Sequence, residues 1–161
     1  MTTSMNATRE LTTERLTLRP WRVEDAVAAL EIYGHPVPLR QWIAEDTQGP
    51  AGRWAIQRNA DGRVIGGAVL LPLPPGLEDL ELGWQLHPDT WGNGYARETT
   101  HALAEWAFGQ DVDEVFAVVR AGDDRAAATA RHNGMQWVGE TTKYFGTNLQ
   151  VFRLRMADLT G

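Results

Sequence analysis

The chain has 161 residues, 43% of them apolar and 22% charged, proportions that suit one compact domain and exclude a disordered chain. It holds no cysteine and only one serine, Ser4, which excludes disulfides, thiolate metal sites, a catalytic cysteine and a Ser-His-Asp hydrolase. A formal net charge of -6 argues against a nucleic-acid partner, and no apolar run approaches the roughly 20 residues that span a membrane.

Residues 1–12 read as a polar leader without an apolar signal core, so the expected location is cytoplasmic. The remainder, 13–161, reads as a single domain acting as a monomer or homodimer. Arg15 to Arg19 alternates as a strand and stops at Pro20. Val23 to Tyr33 follows as a helix, with Glu24 and Asp25 in the first turn, where the dipole favours acids. A second short helix is expected at Leu39 to Glu45. Arg53 to Arg58 and Arg63 to Leu71 form a hairpin about Asp61-Gly62.

Beyond the wider connection Pro72 to Gly76, Asp79 to His87 is a third strand. Leu80, Leu82, Trp84 and Leu86 share one face of it, and Glu81, Gly83, Gln85 and His87 the other. A polar face with a glutamate in mid-strand is either a solvated sheet face or one wall of a site. Pro88 to Gly94 is a loop and Tyr95 to Phe108 a helix. Val115 to Val119 is a short strand, and Arg125 to His132 a helix closed by Asn133-Gly134. Gln136 to Phe145 and Leu149 to Met156 are the last strands, joined through Gly146-Thr147-Asn148. The order β-α-α-β-β-β-α-β-α-β-β predicts an α/β fold of mixed α+β character, with helices on both faces of a central, mostly antiparallel mixed sheet.

The loop Trp91-Gly92-Asn93-Gly94-Tyr95-Ala96 lies between a strand and a helix. Its glycines permit close backbone approach, and the helix that follows offers unpaired N–H groups and a positive dipole end. Together they suit a phosphate or pyrophosphate; the alternative is a plain turn before a helix. No Gly-Lys-Ser/Thr follows, and Arg97 stands where a dinucleotide fingerprint has its third glycine. Trp91 reads as a wedge fixing the loop against the sheet.

Residues 81–98, ELGWQLHPDTWGNGYARE, resemble the acetyl-CoA loop of the GNAT N-acetyltransferases, and more narrowly their RimJ/RimL-type branch. Glu14 to Pro20, ERLTLRP, is similar to that branch's opening segment. The resemblance implies the GNAT fold with its splayed sheet, acetyl-CoA as co-substrate, an amine acceptor and no metal. It implies that the backbone of Gly92, Asn93, Gly94, Tyr95, Ala96 and Arg97 holds the pyrophosphate. It also implies that the strand around Leu86 and His87 pairs with pantetheine and offers an N–H to the thioester oxygen. Two family positions depart from the pattern. Asp123 and Ala126 replace an Asn and a Ser that contact CoA, leaving Asp123 as the remaining polar contact. Ala130 replaces a Tyr that acts as general acid.

Glu81 is the candidate base for the attacking amine, or else a structural carboxylate beside the splayed strands. Tyr144 is the candidate substitute acid, or else a sheet aromatic with a satisfied hydroxyl. His87 reads as a loop residue or pantetheine neighbour, and His35, His101 and His132 are scattered without metal-ligand spacing. The expected function is acetyl-CoA-dependent acetylation of a primary amine, on a protein or peptide N-terminus or a small molecule, by direct attack in a ternary complex. The alternatives are a non-catalytic acyl-CoA-binding module on the same fold, or a small-molecule resistance acetyltransferase.

Overall fold

The computed structural model describes residues 9–45, 49–74, 76, 78–144 and 146–160. Residues 1–8 of the expected leader, Pro75 of the expected connection and Phe145, the expected end of a strand, lie outside the described residues. The elements are β1 (Leu11–Thr12), β2 (Leu16–Arg19), α1 (Ala26–Tyr33), α2 (Leu39–Ala44), β3 (Gly52–Arg58), β4 (Val64–Pro72), β5 (Leu80–Leu86), α3 (Tyr95–Phe108), β6 (Glu114–Arg120), α4 (Asp124–His132), β7 (Gln136–Thr141) and β8 (Leu149–Arg155). Single 3-10 turns cover Val23–Asp25, Pro88–Thr90 and Met156–Thr160.

The strands form one eight-stranded sheet in the order β1-β2-β3-β4-β5-β6-β8-β7. Every pairing is antiparallel except β5–β6, which is parallel and consists of one register position, Glu81 opposite Phe116. The mixed, mostly antiparallel sheet expected from the element order is therefore present. One boundary differs. Leu11 and Thr12, expected in the leader, pair with Leu18 and Thr17 and begin the sheet.

Period-two burial sorts the sheet into two faces. Leu70, Leu82, Leu86, Val115 and Phe152 meet Leu103, Ala104 and Ala107 of α3 and Ala130 of α4 in the main core. The opposite face of β2–β4 is covered by α1 and α2 through Trp21, Ala29, Ile32 and Leu39, with Tyr33 and Trp42 packed against them. Here Gly67 has a purpose: a methyl group at that position would collide with the Tyr33 hydroxyl. Beyond β5 this face carries a smaller cluster of Leu73, Tyr144, Leu149 and Val151. Among the described residues, no helix is long and apolar enough to cross a membrane.

The start of α1 departs from the sequence expectation. Val23 to Asp25 forms a 3-10 turn, and Asp25 is buried rather than facing solvent at a helix end. Its carboxylate takes a bidentate pair from Arg19, at 2.9 and 3.0 Å, and the Arg22 N–H at 2.8 Å. Arg19, only 4% exposed, also donates to Gln57 Oε1 and the Pro20 carbonyl. A buried, multiply bonded pair of this kind positions the helix on the strand. Burial opposes the charge on Asp25, but the Arg19 and Arg22 hydrogen bonds outweigh it and hold the pKa below the ordinary value.

Removing one partner strands the other charge. Asp25→Ala is expected to destabilise the protein by about 3–5 kcal/mol, read as a lower denaturant midpoint. Because the folded pKa is depressed, the stabilisation is present above the ordinary carboxylate range and disappears as pH falls through the lowered value. The deficit of the variant should shrink in acid; a constant deficit at all pH values would assign the loss to packing.

Candidate active site

β5 sets the geometry. The His87 N–H donates to the Ile65 carbonyl at 2.8 Å, so odd-numbered positions of β5 point their amides at β4. Even-numbered positions point theirs the other way, toward β6. Pairing with β6 ends at Glu81, so the amides of Trp84 and Leu86 open into the gap where the two strands part. This divides the sequence expectation for Leu86 and His87. The Leu86 backbone faces the gap, whereas the His87 amide is taken by β4. The His87 ring accepts the Asp89 N–H and lies outside the cleft lining.

The gap continues into a cleft of about 870 Å³ between β5, the loop before α3, β6 and α4. The loop is rigidly built. Thr90 Oγ1 and the Thr90 N–H both bond the His87 carbonyl, and Asn93 Nδ2 bonds the Thr90 carbonyl at 2.8 Å. Asn93 thus turns its side chain onto the loop and, unlike Gly92 and Gly94, does not line the cleft. Gly92 and Gly94 have φ of +85 and +81, a left-handed conformation that side chains disfavour. Together they aim the chain into α3, whose first helical bond runs from Glu98 N–H to the Gly94 carbonyl. The amides of Tyr95, Ala96 and Arg97 precede it and have no partner within the helix.

Trp91 donates its indole N–H to the Leu86 carbonyl at 3.0 Å, the wedge contact expected from the sequence. The Arg125 guanidinium stacks 4.1 Å from the centre of the same ring. Arg97, bonded to the His132 carbonyl, adds a second cation beside the helix start. The cleft mouth therefore combines unpaired amides, a helix N-terminus and two arginines, an arrangement for a polyanion. Arg125 escaped the sequence reading because nothing in the chain order places the first turn of α4 against Trp91.

Asp123 lines the cleft as the cap of α4, accepting the Ala126 N–H at 3.1 Å. Ala126 and Ala130, the two departures from the pattern that the sequence resemblance implies, also line it. The wall that would carry the acid carries a methyl group instead. Tyr144 does not occupy that place. It is 5% exposed, lies outside the lining, and donates its hydroxyl to Asp79 Oδ2 at 2.6 Å. Burial, then Asp79, raises its pKa. Glu98, the last residue of the matched motif, is structural. It accepts the Arg15 N–H, the Arg15 guanidinium and the Thr13 hydroxyl, tying β2 to α3.

Glu81 is half-buried at the seam and lines the cleft, and its carboxylate accepts no hydrogen bond among the described residues. Burial raises its pKa. Among the described residues, no group of three or more His, Asp or Glu is disposed to hold a metal ion.

Residues 15–136 match the Acetyltransferase (GNAT) domain family, and the chain belongs to it. It is an N-acetyltransferase of a family that uses acetyl-CoA. An acetyltransferase from Agrobacterium tumefaciens superposes with a TM-score of 0.70 at 26% identity, covering 91% of this chain and 94% of its own. A variant of a spermidine N-acetyltransferase from Vibrio cholerae gives 0.69 at 14% identity, covering 91% and 97%. A Vibrio cholerae protein assigned as a ribosomal-protein-serine acetyltransferase gives 0.66 at 18%, also covering 91% and 97%.

The Glu81 environment sets a stability signature. A carboxyl whose folded pKa is raised favours the fold at low pH and weakens it as pH rises through the raised value. Glu81→Gln is expected to melt higher than the parent at neutral pH, with the gain vanishing below the ordinary carboxylate range. A variant less stable at neutral pH would identify a structural hydrogen-bonding role for Glu81.

Proposed function

We propose that this enzyme transfers the acetyl group of acetyl-CoA to a primary amine by direct attack in a ternary complex, as a member of the RimJ/RimL-type branch. The observation that carries this reading is Glu81: a carboxylate with no donor, kept basic by burial, at the edge of a gap lined by backbone amides. The match of residues 81–98 to the branch motif supports the narrower placement. The acceptor is an N-terminal amine of a protein or peptide, or a small-molecule amine such as the polyamine named for one structural neighbour.

Acetyl-CoA supplies an activated acyl thioester. The amides of Gly92 to Arg97 hold its pyrophosphate, with Trp91, Arg125 and Asp123 at the rim of the same cleft. The Leu86 amide, pointing into the gap, is the donor for negative charge developing on the thioester oxygen. Glu81 takes the proton of the incoming ammonium directly or through a water molecule. The chain's remaining contribution is proximity, worth several kcal/mol when two reactants are held in line.

The second reading, a non-catalytic acyl-CoA binder, is motivated by the methyl groups of Ala126 and Ala130 in the cleft wall. A thiol-release screen with acetyl-CoA against polyamines, amino acids, peptides and aminoglycosides separates the two. CoA affinity without thiol release on any of these amines selects the binder; release on one class identifies the acceptor.

Gly94→Val puts a branched side chain at a φ of +81, directly before the helix amides. The variant is expected to lose CoA binding by calorimetry while keeping native circular dichroism; unchanged affinity would remove the loop from the site.

Glu81→Gln is expected to lower kcat/KM by roughly 100- to 10,000-fold, the range for loss of a general base. In the parent enzyme kcat/KM should rise with pH as Glu81 ionises at its raised pKa. The deficit of the variant should narrow at high pH, where free amine is abundant. An undiminished rate across the profile assigns proton removal to another group.

A further inference from the structure

Asp79 and Tyr144 stand at the closed end of the gap, where β5 and β6 are still paired. Asp79 immediately precedes β5 and lies two residues before Glu81, on the same face by strand alternation. Tyr144 belongs to the segment joining β7 to β8, in the other half of the sheet. The phenol hydroxyl donates to Asp79 Oδ2 at 2.6 Å, and Lys143 Nζ reaches the same oxygen at 3.1 Å. The Leu73 N–H closes onto the Asp79 carbonyl at 2.8 Å, which fixes the segment carrying the carboxylate. The Tyr144 ring is anchored among Leu73, Leu149 and Val151, with Phe116 packed against that cluster. Phe116 is the register partner of Glu81, so this cluster sits beside the candidate base.

Resting on the function proposed above, we propose that Asp79 and Tyr144 form a clasp across the β5–β6 seam that positions the acceptor amine beside Glu81. Tyr144 is then a positioning residue and not the acid for the leaving thiol. Three features support the assignment. The contact joins two half-sheets whose backbones share one register position, so one strong side-chain bond adds a large share of their local connection. The hydroxyl proton is committed to a carboxylate, and giving it up would leave a phenolate against an anion. On Glu81's face the next position along β5 is Gly83, so the floor beyond Glu81 is bare backbone, and the clasp fixes the strand two residues before Glu81.

The test compares Tyr144→Phe, Asp79→Asn, Asp79→Ala and the Tyr144→Phe/Asp79→Ala double variant. Steady-state thiol release is measured at saturating acetyl-CoA with the amine turned over fastest in the screen above. Tyr144→Phe is expected to raise the amine KM about tenfold, the scale of one charge-assisted hydrogen bond, with kcat little changed and CoA affinity intact. Asp79→Asn keeps a carbonyl to accept the phenol proton without its charge and should give a KM between those of the parent and Tyr144→Phe. Asp79→Ala should match Tyr144→Phe, and the double variant should be no worse than either. Hydrogen exchange in the CoA-free protein should quicken at 79–82 and 141–144 in Tyr144→Phe and stay unchanged at 92–97.

A kcat roughly a thousandfold lower with KM unmoved would make Tyr144 the acid and overturn the clasp. An unmoved KM with parental kcat, or effects that add in the double variant, would also overturn it. If the parent protein releases thiol with none of the amines, the proposed function fails. The exchange comparison then decides the clasp by itself, and unaltered exchange at 79–82 and 141–144 overturns it.

Discussion

Strands β5 and β6 touch through one register position, Glu81 opposite Phe116, and separate beyond it. A parallel pair needs a crossover, and here α3 supplies it. Because α3 begins where the strands have parted, its N-terminus falls at the open end of the gap. The amides left unpaired by the separation and those left unpaired by the helix start therefore border one cleft. In a continuous sheet the Leu86 amide would bond a neighbouring strand; in a longer loop the α3 amides would lie elsewhere. The site follows from ending one backbone pairing early.

The two faces of the sheet divide the labour. One is closed by α3 and α4 over a continuous apolar core, so the cleft has a rigid back wall. The other is covered in two separate places, by α1 and α2 over β2–β4 and by the small Tyr144 cluster beyond β5. Glu81 lies between those covers, where it is desolvated enough to be basic without being sealed. The electrostatics follow the same division. Arg97 and Arg125 stand at the α3 end of the cleft, and the carboxylate of Glu81 at the opposite end. An anionic donor and a cationic acceptor would each meet complementary charge, although the net charge of -6 alone indicates only the second.

The sequence exposed this plan unevenly. The alternation of Leu80, Leu82, Trp84 and Leu86 against Glu81, Gly83 and Gln85 is a local property, and burial follows it at the three leucines, while Trp84, beside the gap, is only half-buried. The span of α3 likewise emerges from helical periodicity. Strand β1 did not, because two residues carry no detectable period and its existence depends on pairing with Leu18 and Thr17. Asp25 reads in the sequence as an acid at a helix dipole, but its partner is Arg19, six positions earlier, on the far side of the turn at Pro20. Contacts distant in sequence were the least legible: Tyr144 with Asp79, 65 positions apart, and Arg125 with Trp91. A hydroxyl that looks available in the sequence is engaged in the fold, and only three dimensions decide which.

Ala130 then bears on the chemistry in a different way. In the proposed reaction the leaving group is a thiolate whose conjugate acid has a pKa of about 8.5 by analogy with cysteine. Such a group departs near neutral pH with little help, so an acid on the α4 wall contributes least among the catalytic groups. An ammonium acceptor, by contrast, cannot attack until it loses a proton, and the oxygen that gains charge needs a donor already in place. The groups proposed for those two demands, Glu81 and the Leu86 amide, lie on one strand. The chain leaves a methyl group where the least demanding step would be assisted. Small side chains on α4 also pack it closely against the core, since Ala130 is 2% exposed and belongs to the main cluster. Alanine there favours helix propensity and close packing at the position where the proposed chemistry loses least.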